Sequence, residues 1–142
     1  MTGAEHTQLL QVLQMADLIS PWSVGRYQTN AHAQEDAATY VKGDLTWCNQ
    51  RGITLMPVIF PGKSFHNSEV SDHLPNPEPL DWIPRKQNGV YFFHVQGQAI
   101  ANLGVRTIYI AMFDEVNEGT AIFKCTQNPP STPDGLHFVP YR

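Results

Sequence analysis

Asp114, Glu115 and Glu118 lie close together immediately after the apolar, β-branched run Val105–Phe113. Two carboxylates in different surroundings can divide the labour of acid–base catalysis, one giving a proton while the other stays ionised as base or nucleophile. Cleavage of a glycosidic bond needs such a pair, and nearby rings supply faces on which a sugar stacks. Trp22, Tyr27, Phe65 and His66 fit that need, and Arg85, next to Pro84, is suited to hold a hydroxyl or a carboxylate. Each feature also has an ordinary reading. Acids after a strand open a solvated loop, single aromatics pack at a sheet edge, and an arginine stands in solvent.

The elements that would position these residues follow from the hydrophobic pattern. Gln8–Gln14 reads as the end of a helix and Met15–Ser20 as a short strand. Gln34–Asn49 carries Ala37, Tyr40, Val41, Leu45 and Cys48 near helical spacing, and Arg51-Gly52 closes it. Ile53–Phe60 predicts a second buried strand that Pro61-Gly62 ends, with irregular pairing at Pro57, which lacks a ladder donor. Residues 61–88 read as a long proline-containing loop, Val90–Leu103 as a helix stopped by Gly104, and Val105–Phe113 as the third strand. Ala121–Lys124 reads as a further short extended piece, and Gln127–Arg142 as an irregular tail.

Buried strands alternating with helices pair in parallel through right-handed crossovers. The three strand ends then open on one side of the sheet. They carry Pro21–Tyr27, Pro61–Asn67 and Asp114–Gly119, all polar and glycine-bearing and the first two also aromatic. Such convergence is where α/β enzymes build their sites.

With 142 residues the chain is one domain's worth. Its hydrophobic share of 42% against a charged share of 15% suits a packed interior rather than disorder. The net charge of -4, with no Lys/Arg stripe, argues against a nucleic-acid partner and against an anionic membrane surface. No run approaches the ~20 apolar residues of a membrane span, and Met1–Gln8 lacks the regions of a signal peptide. Cys48 and Cys125 lack CxxC spacing and read as two thiols, with a disulfide as the alternative. The histidines show no HExxH or other ligand spacing, so no metal is expected. Neither a GxSxG elbow nor a phosphate-cradling glycine loop is present, which leaves nucleotide binding a weak reading.

Four segments resemble glycoside hydrolase family 99, the group of endo-α-mannosidases and endo-α-1,2-mannanases. They are Ser20–Tyr27, Met56–Asn67, Ile83–Arg85 and Ala111–Lys124. The last (AMFDEVNEGTAIFK) is the most specific, and the similarity runs from about Asp17 to Lys124. The resemblance implies a (β/α)₈ barrel and retaining hydrolysis of α-mannosidic bonds in an oligosaccharide or polysaccharide, without a cofactor. It gives Glu115 the role of base on the sugar's own 2-hydroxyl and Glu118 that of acid/base at the leaving oxygen. It also places Tyr27, His66, Asn67 and Arg85 along the cleft, and Trp22 and Asp114 complete the candidate substrate-binding set. For a full-length parent it implies export or residence in the secretory route.

The sequence departs from the family pattern. Lys63 and Phe65 stand where Phe and Trp are usual, and Asn117 replaces an aspartate between the two glutamates. A barrel takes ~250 residues and eight strands, whereas this chain shows three or four strand candidates. The expected fold is therefore a partial TIM barrel, its later half, forming a single domain over residues 1–142. Unclosed sheet edges would be open to self-association, and the isolated polypeptide is expected to have little or no activity. A non-catalytic carbohydrate-binding module and an inactive structural fragment are the alternatives.

Overall fold

The structure is a computed structural model, and it describes residues 3–71, 82–123, 125–130 and 138–139. Helix α1 (Gly3–Leu13) leads into the short strand β1 (Leu18–Ile19). The next helix starts at Asn30, ahead of the periodic stretch that begins at Gln34, because Thr29 caps it: its side chain accepts the His32 N–H at 3.1 Å. It runs as α2 (Asn30–Asp36), a π-helical turn (Ala37–Val41) and α3 (Lys42–Asn49). Gly52, at φ +69°, turns the chain back toward the sheet.

The run Ile53–Phe60 is divided as its proline requires. Strand β2 (Thr54–Leu55) pairs in parallel with β1, and β3 (Val58–Ile59) pairs in parallel with β8 (Tyr109–Ile110). On one edge of this run the Thr54 and Met56 N–H groups donate to the carbonyls of Asp17 and Ile19, at 3.0 and 2.9 Å. On the other edge the carbonyls of Pro57 and Ile59 accept from Tyr109 and Ala111, each at 2.9 Å. Pro57 supplies an acceptor where it has no donor, so the two short ladders lie on either side of it. The fold is thus mixed α/β with short parallel pairs, and the observed strands are shorter than the apolar runs that announced them.

The stretch 61–88 is not a plain loop where it is described. It holds β4 (Lys63–Ser64), α4 (Phe65–Ser71), β5 (Trp82–Ile83) and β6 (Lys86–Gln87), with β4 and β5 antiparallel. Pro75, Pro77 and Pro79 lie outside the described residues. Strand β6 forms a hairpin with β7 (Val90–Tyr91) across Asn88-Gly89, both at positive φ (50° and 82°). An Asn-Gly pair is the favoured sequence for that two-residue turn, and it delays the start of α5 (Phe92–Asn102) from Val90 to Phe92. Much of the expected tail, and Lys124, also lies outside the described residues.

Two apolar clusters hold these elements together. Cys48, Ile53 and Leu55 pack α3 against β2, with Ile19, Val41, Leu45 and Trp47 around them. Tyr27, Ala33, Phe60, Ile83 and Phe92 form the other, at the end of β3. There Phe60 and Phe92 meet edge to face, 5.3 Å between ring centres at 77°. Each fully buried phenylalanine contributes about 1.5–3 kcal/mol relative to exposure. Among the described residues no helix is long and apolar enough to cross a membrane.

Candidate active site

Past β8 the chain bends into a closed loop. Met112 N–H donates to Thr120 O at 3.0 Å, Ala121 N–H to Glu115 O at 3.0 Å and Phe123 N–H to Phe113 O at 2.9 Å. These bonds tie the limbs 112–115 and 120–123, so Asp114, Glu115 and Glu118 sit on the loop rather than on a strand. At the turn, Gly119 adopts φ +73°, and a β-carbon there would lie 2.6 Å from Val139 Cγ2 and 3.3 Å from the Ser64 nitrogen. Only glycine fits that corner.

The carboxylates have different partners. Glu115 Oε2 accepts from the Thr120 hydroxyl at 2.6 Å, and Thr120 is fully buried. Glu118 Oε2 lies 2.8 Å from the Lys63 ammonium, which also donates to Ser68 Oγ at 2.8 Å. Asp114 is exposed.

The loops that follow β3 and β1 reach the same region. Ser64 N–H donates to Glu118 O at 2.7 Å, and the Asn67 side-chain amide donates to Asn117 O. Gly25, on the loop after β1, lies against Lys63 and Phe65: a β-carbon there would be 3.2 Å from Lys63 Cδ. Ser23 Oγ donates to Val58 O at 2.7 Å, which fastens that loop to the end of β3. Of the three segments expected to converge, Pro21–Tyr27 touches Pro61–Asn67, which in turn touches Asp114–Gly119.

The remaining candidates divide by burial. Asn67 is fully enclosed, and its N–H donates to Ser64 Oγ at 3.1 Å. Arg85 is buried, donating through Nη2 to Gly119 O at 2.8 Å and through Nη1 to Cys125 Sγ at 3.5 Å. Both residues brace the acidic loop. Arg85 and Gly119 also line a cavity of about 270 Å³ together with Val116, Phe123 and Phe138. Trp22 is 60% exposed, with its ring 6.5 Å from that of Tyr109. His66 is half-buried on the first turn of α4.

Tyr27 is buried in the aromatic cluster, and its hydroxyl donates to Gln96 Oε1 at 3.0 Å. Burial above all pushes its phenol up to about 12. Gln96 was not anticipated from the sequence. It also accepts the Phe60 N–H at 3.1 Å and donates to the carbonyls of Phe60 (2.7 Å) and Phe92 (3.1 Å). The signal for it was present, since it lies between Phe92 and Ile100 at helical spacing on the buried stripe of α5. Thr120, Ser64 and Ser68 carried no such signal, because a hydroxyl finds its partner only in the folded chain.

A second carboxylate pair lies beneath the loop after β1. Arg26 Nε is 3.2 Å from Asp36 Oδ1, and its guanidinium stacks 4.2 Å above the Tyr40 ring. Asp36 and Asp44 line one small pocket with Ser23 and Tyr27. Burial raises both carboxyls above the usual aspartate range, against the opposing pull of Arg26. Cys48 and Cys125 are free thiols, one buried and one exposed. Among the described residues no group of three or more His, Cys, Asp and Glu side chains is placed to hold a metal ion.

No family model matches the chain, and comparison with curated proteins and with solved structures found no match.

Proposed function

We propose that this chain is the later part of a (β/α)₈-barrel glycoside hydrolase of the family 99 kind, acting on α-mannosidic linkages with retention. The observation that carries the reading is the series of contacts that links three post-strand loops at Glu118 and its partner Lys63. Ser64 and Asn67 bond to the Asn117–Glu118 backbone, Lys63 pairs with the Glu118 carboxylate, and Gly25 packs on Lys63. Residues at the carboxyl ends of parallel strands are where such folds keep their chemistry. The motif resemblance supplies the reaction class.

In this reading Glu115, oriented by the Thr120 hydroxyl, takes the proton of the sugar's 2-hydroxyl. The 2-oxygen attacks C1 as the C1–O bond to the leaving group breaks, and Glu118 protonates that oxygen. The product of this step is a 1,2-anhydro sugar. Water then opens it at C1, Glu118 takes the water's proton and Glu115 returns a proton to the 2-oxygen. Two displacements at C1 give net retention.

The test places Glu115→Gln and Glu118→Gln in a longer chain carrying this segment and assays an α-mannan oligosaccharide. Each is expected to cut turnover by at least about 10²-fold, with oligosaccharide binding retained. Unchanged turnover in either variant would sink the corresponding role. The isolated 142-residue chain is expected to release little or no sugar, and robust release would show that it needs no further barrel strands.

A further inference from the structure

The two glutamates are held in chemically different ways. Glu115 receives a neutral hydroxyl, whereas Glu118 receives an ammonium. Both members of the ion pair are shielded, with side chains 14% (Lys63) and 29% (Glu118) exposed. Both are also anchored through the backbone. Lys63 lies in β4, paired with Ile83 of β5, and the carbonyl of Glu118 accepts from Ser64, the residue next to Lys63. The lysine stem has room because Gly25 carries no side chain. Glu118 is therefore gripped at its backbone and at its carboxylate by adjacent residues of one strand.

An ion pair with an ammonium is made by the carboxylate form. A carboxyl group that carries a proton to donate is no longer that partner. The pair with Lys63 and the acid role of Glu118 exclude each other in time.

We propose that Lys63 is a positioning residue that parks Glu118 as a carboxylate, and that a bound glycan must draw the ammonium off Oε2 so that Glu118 takes up a proton from solvent water before delivering that proton to the leaving oxygen. The first clause stands on geometry alone; the second rests on the hydrolase reading. Ser68 Oγ gives the ammonium an existing anchor when it lets go. The site is thus armed by its ligand, and with the cleft empty its acid is occupied.

A zero-length carbodiimide reaction on the full chain tests both clauses. Lys63 and Glu118 are close enough to condense, so an amide cross-link between their peptides is expected by mass spectrometry and should vanish in Glu118→Gln. With glycinamide present, Glu118 should be labelled several-fold more in Lys63→Met than in the parent. A saturating α-mannan oligosaccharide should lower the cross-link yield several-fold. Absence of the cross-link, together with equal glycinamide labelling in parent and variant, would overturn the parking role. A cross-link yield unmoved by an oligosaccharide that binds, as seen in NMR shifts, would overturn the displacement. If the oligosaccharide binds neither the parent nor Lys63→Met, the displacement fails in this chain, the hydrolase reading is judged by the glutamate variants in the longer chain, and the cross-link with the glycinamide labelling decides the parking role.

Discussion

The molecule holds two pairs of carboxylates, and their surroundings differ in kind. Asp36 and Asp44 lie against the π-helical turn, where burial dominates and lifts both carboxyls in spite of Arg26. Glu115 and Glu118 lie on a loop at the strand ends, each with a close donor that suits a carboxylate. A perturbed carboxyl is by itself only a candidate for chemistry, because structural ion pairs perturb titration as well. Position relative to the parallel strands discriminates between the pairs. Asp36 fastens a helix to a loop through Arg26, while the glutamates stand on the loop that follows β8, where Glu118 meets the loop after β3.

The strongest break in this contrast is at Gly119. Gly119→Ala puts a β-carbon into Val139 at a left-handed φ, and a loss of roughly 1–3 kcal/mol is expected. Chemical denaturation measures it, and a loss below a few tenths would show that the acidic loop is not pinned there. Removing the Thr120 hydroxyl follows. Thr120→Val leaves Glu115 without its buried donor and is expected to cost about 1–3 kcal/mol.

The aspartates make a prediction about pH. Their folded carboxyls titrate above the unfolded range, so the folded state holds protons more tightly than the unfolded state. Their contribution to stability therefore grows as pH falls from neutral toward the ordinary carboxylate value of about 4. Melting temperatures of the parent should gain on acidification relative to Asp36→Asn/Asp44→Asn, and parallel curves would refute the burial argument. At the alkaline end the sign makes the Tyr27 contribution fade. It is complete below about 10 and is lost as pH rises through about 12. The alkaline fall in stability should shrink in Tyr27→Phe.

The smallest effect is expected at the surface of the aspartate pair. Arg26→Ala removes an ion pair whose arginine is 46% exposed, and it should cost under about 1 kcal/mol. A larger loss would mean that stacking on Tyr40 matters more than the pair.

Particular residues show how far the sequence could be read. The apolar run with Pro57 announced a buried, interrupted strand, because a missing N–H is a local fact. Asn88-Gly89 carried an equally local hairpin signal that the reading of a plain loop passed over. The early start of the first crossover helix lay in one threonine, whose cap outweighed the apolar period. Side-chain partners were not legible in this way. Nothing in the order of residues says that Lys63 reaches Glu118, that Arg85 turns inward to Gly119, or that the Tyr27 hydroxyl is spent on Gln96.

The sequence by itself determined the alternation of helices and apolar strands and the three glycine-bearing segments at the strand ends. It also determined the close spacing of Glu115 and Glu118, since periodicity and turn chemistry act over a few residues. Only the tertiary structure decided what surrounds each carboxylate. Those partners come from distant stretches, brought together by burial of the Phe60–Phe92 cluster and the short parallel ladders. The reason is physical: a charge is governed by whatever lies within a few ångströms of it, and the fold fixes that neighbourhood.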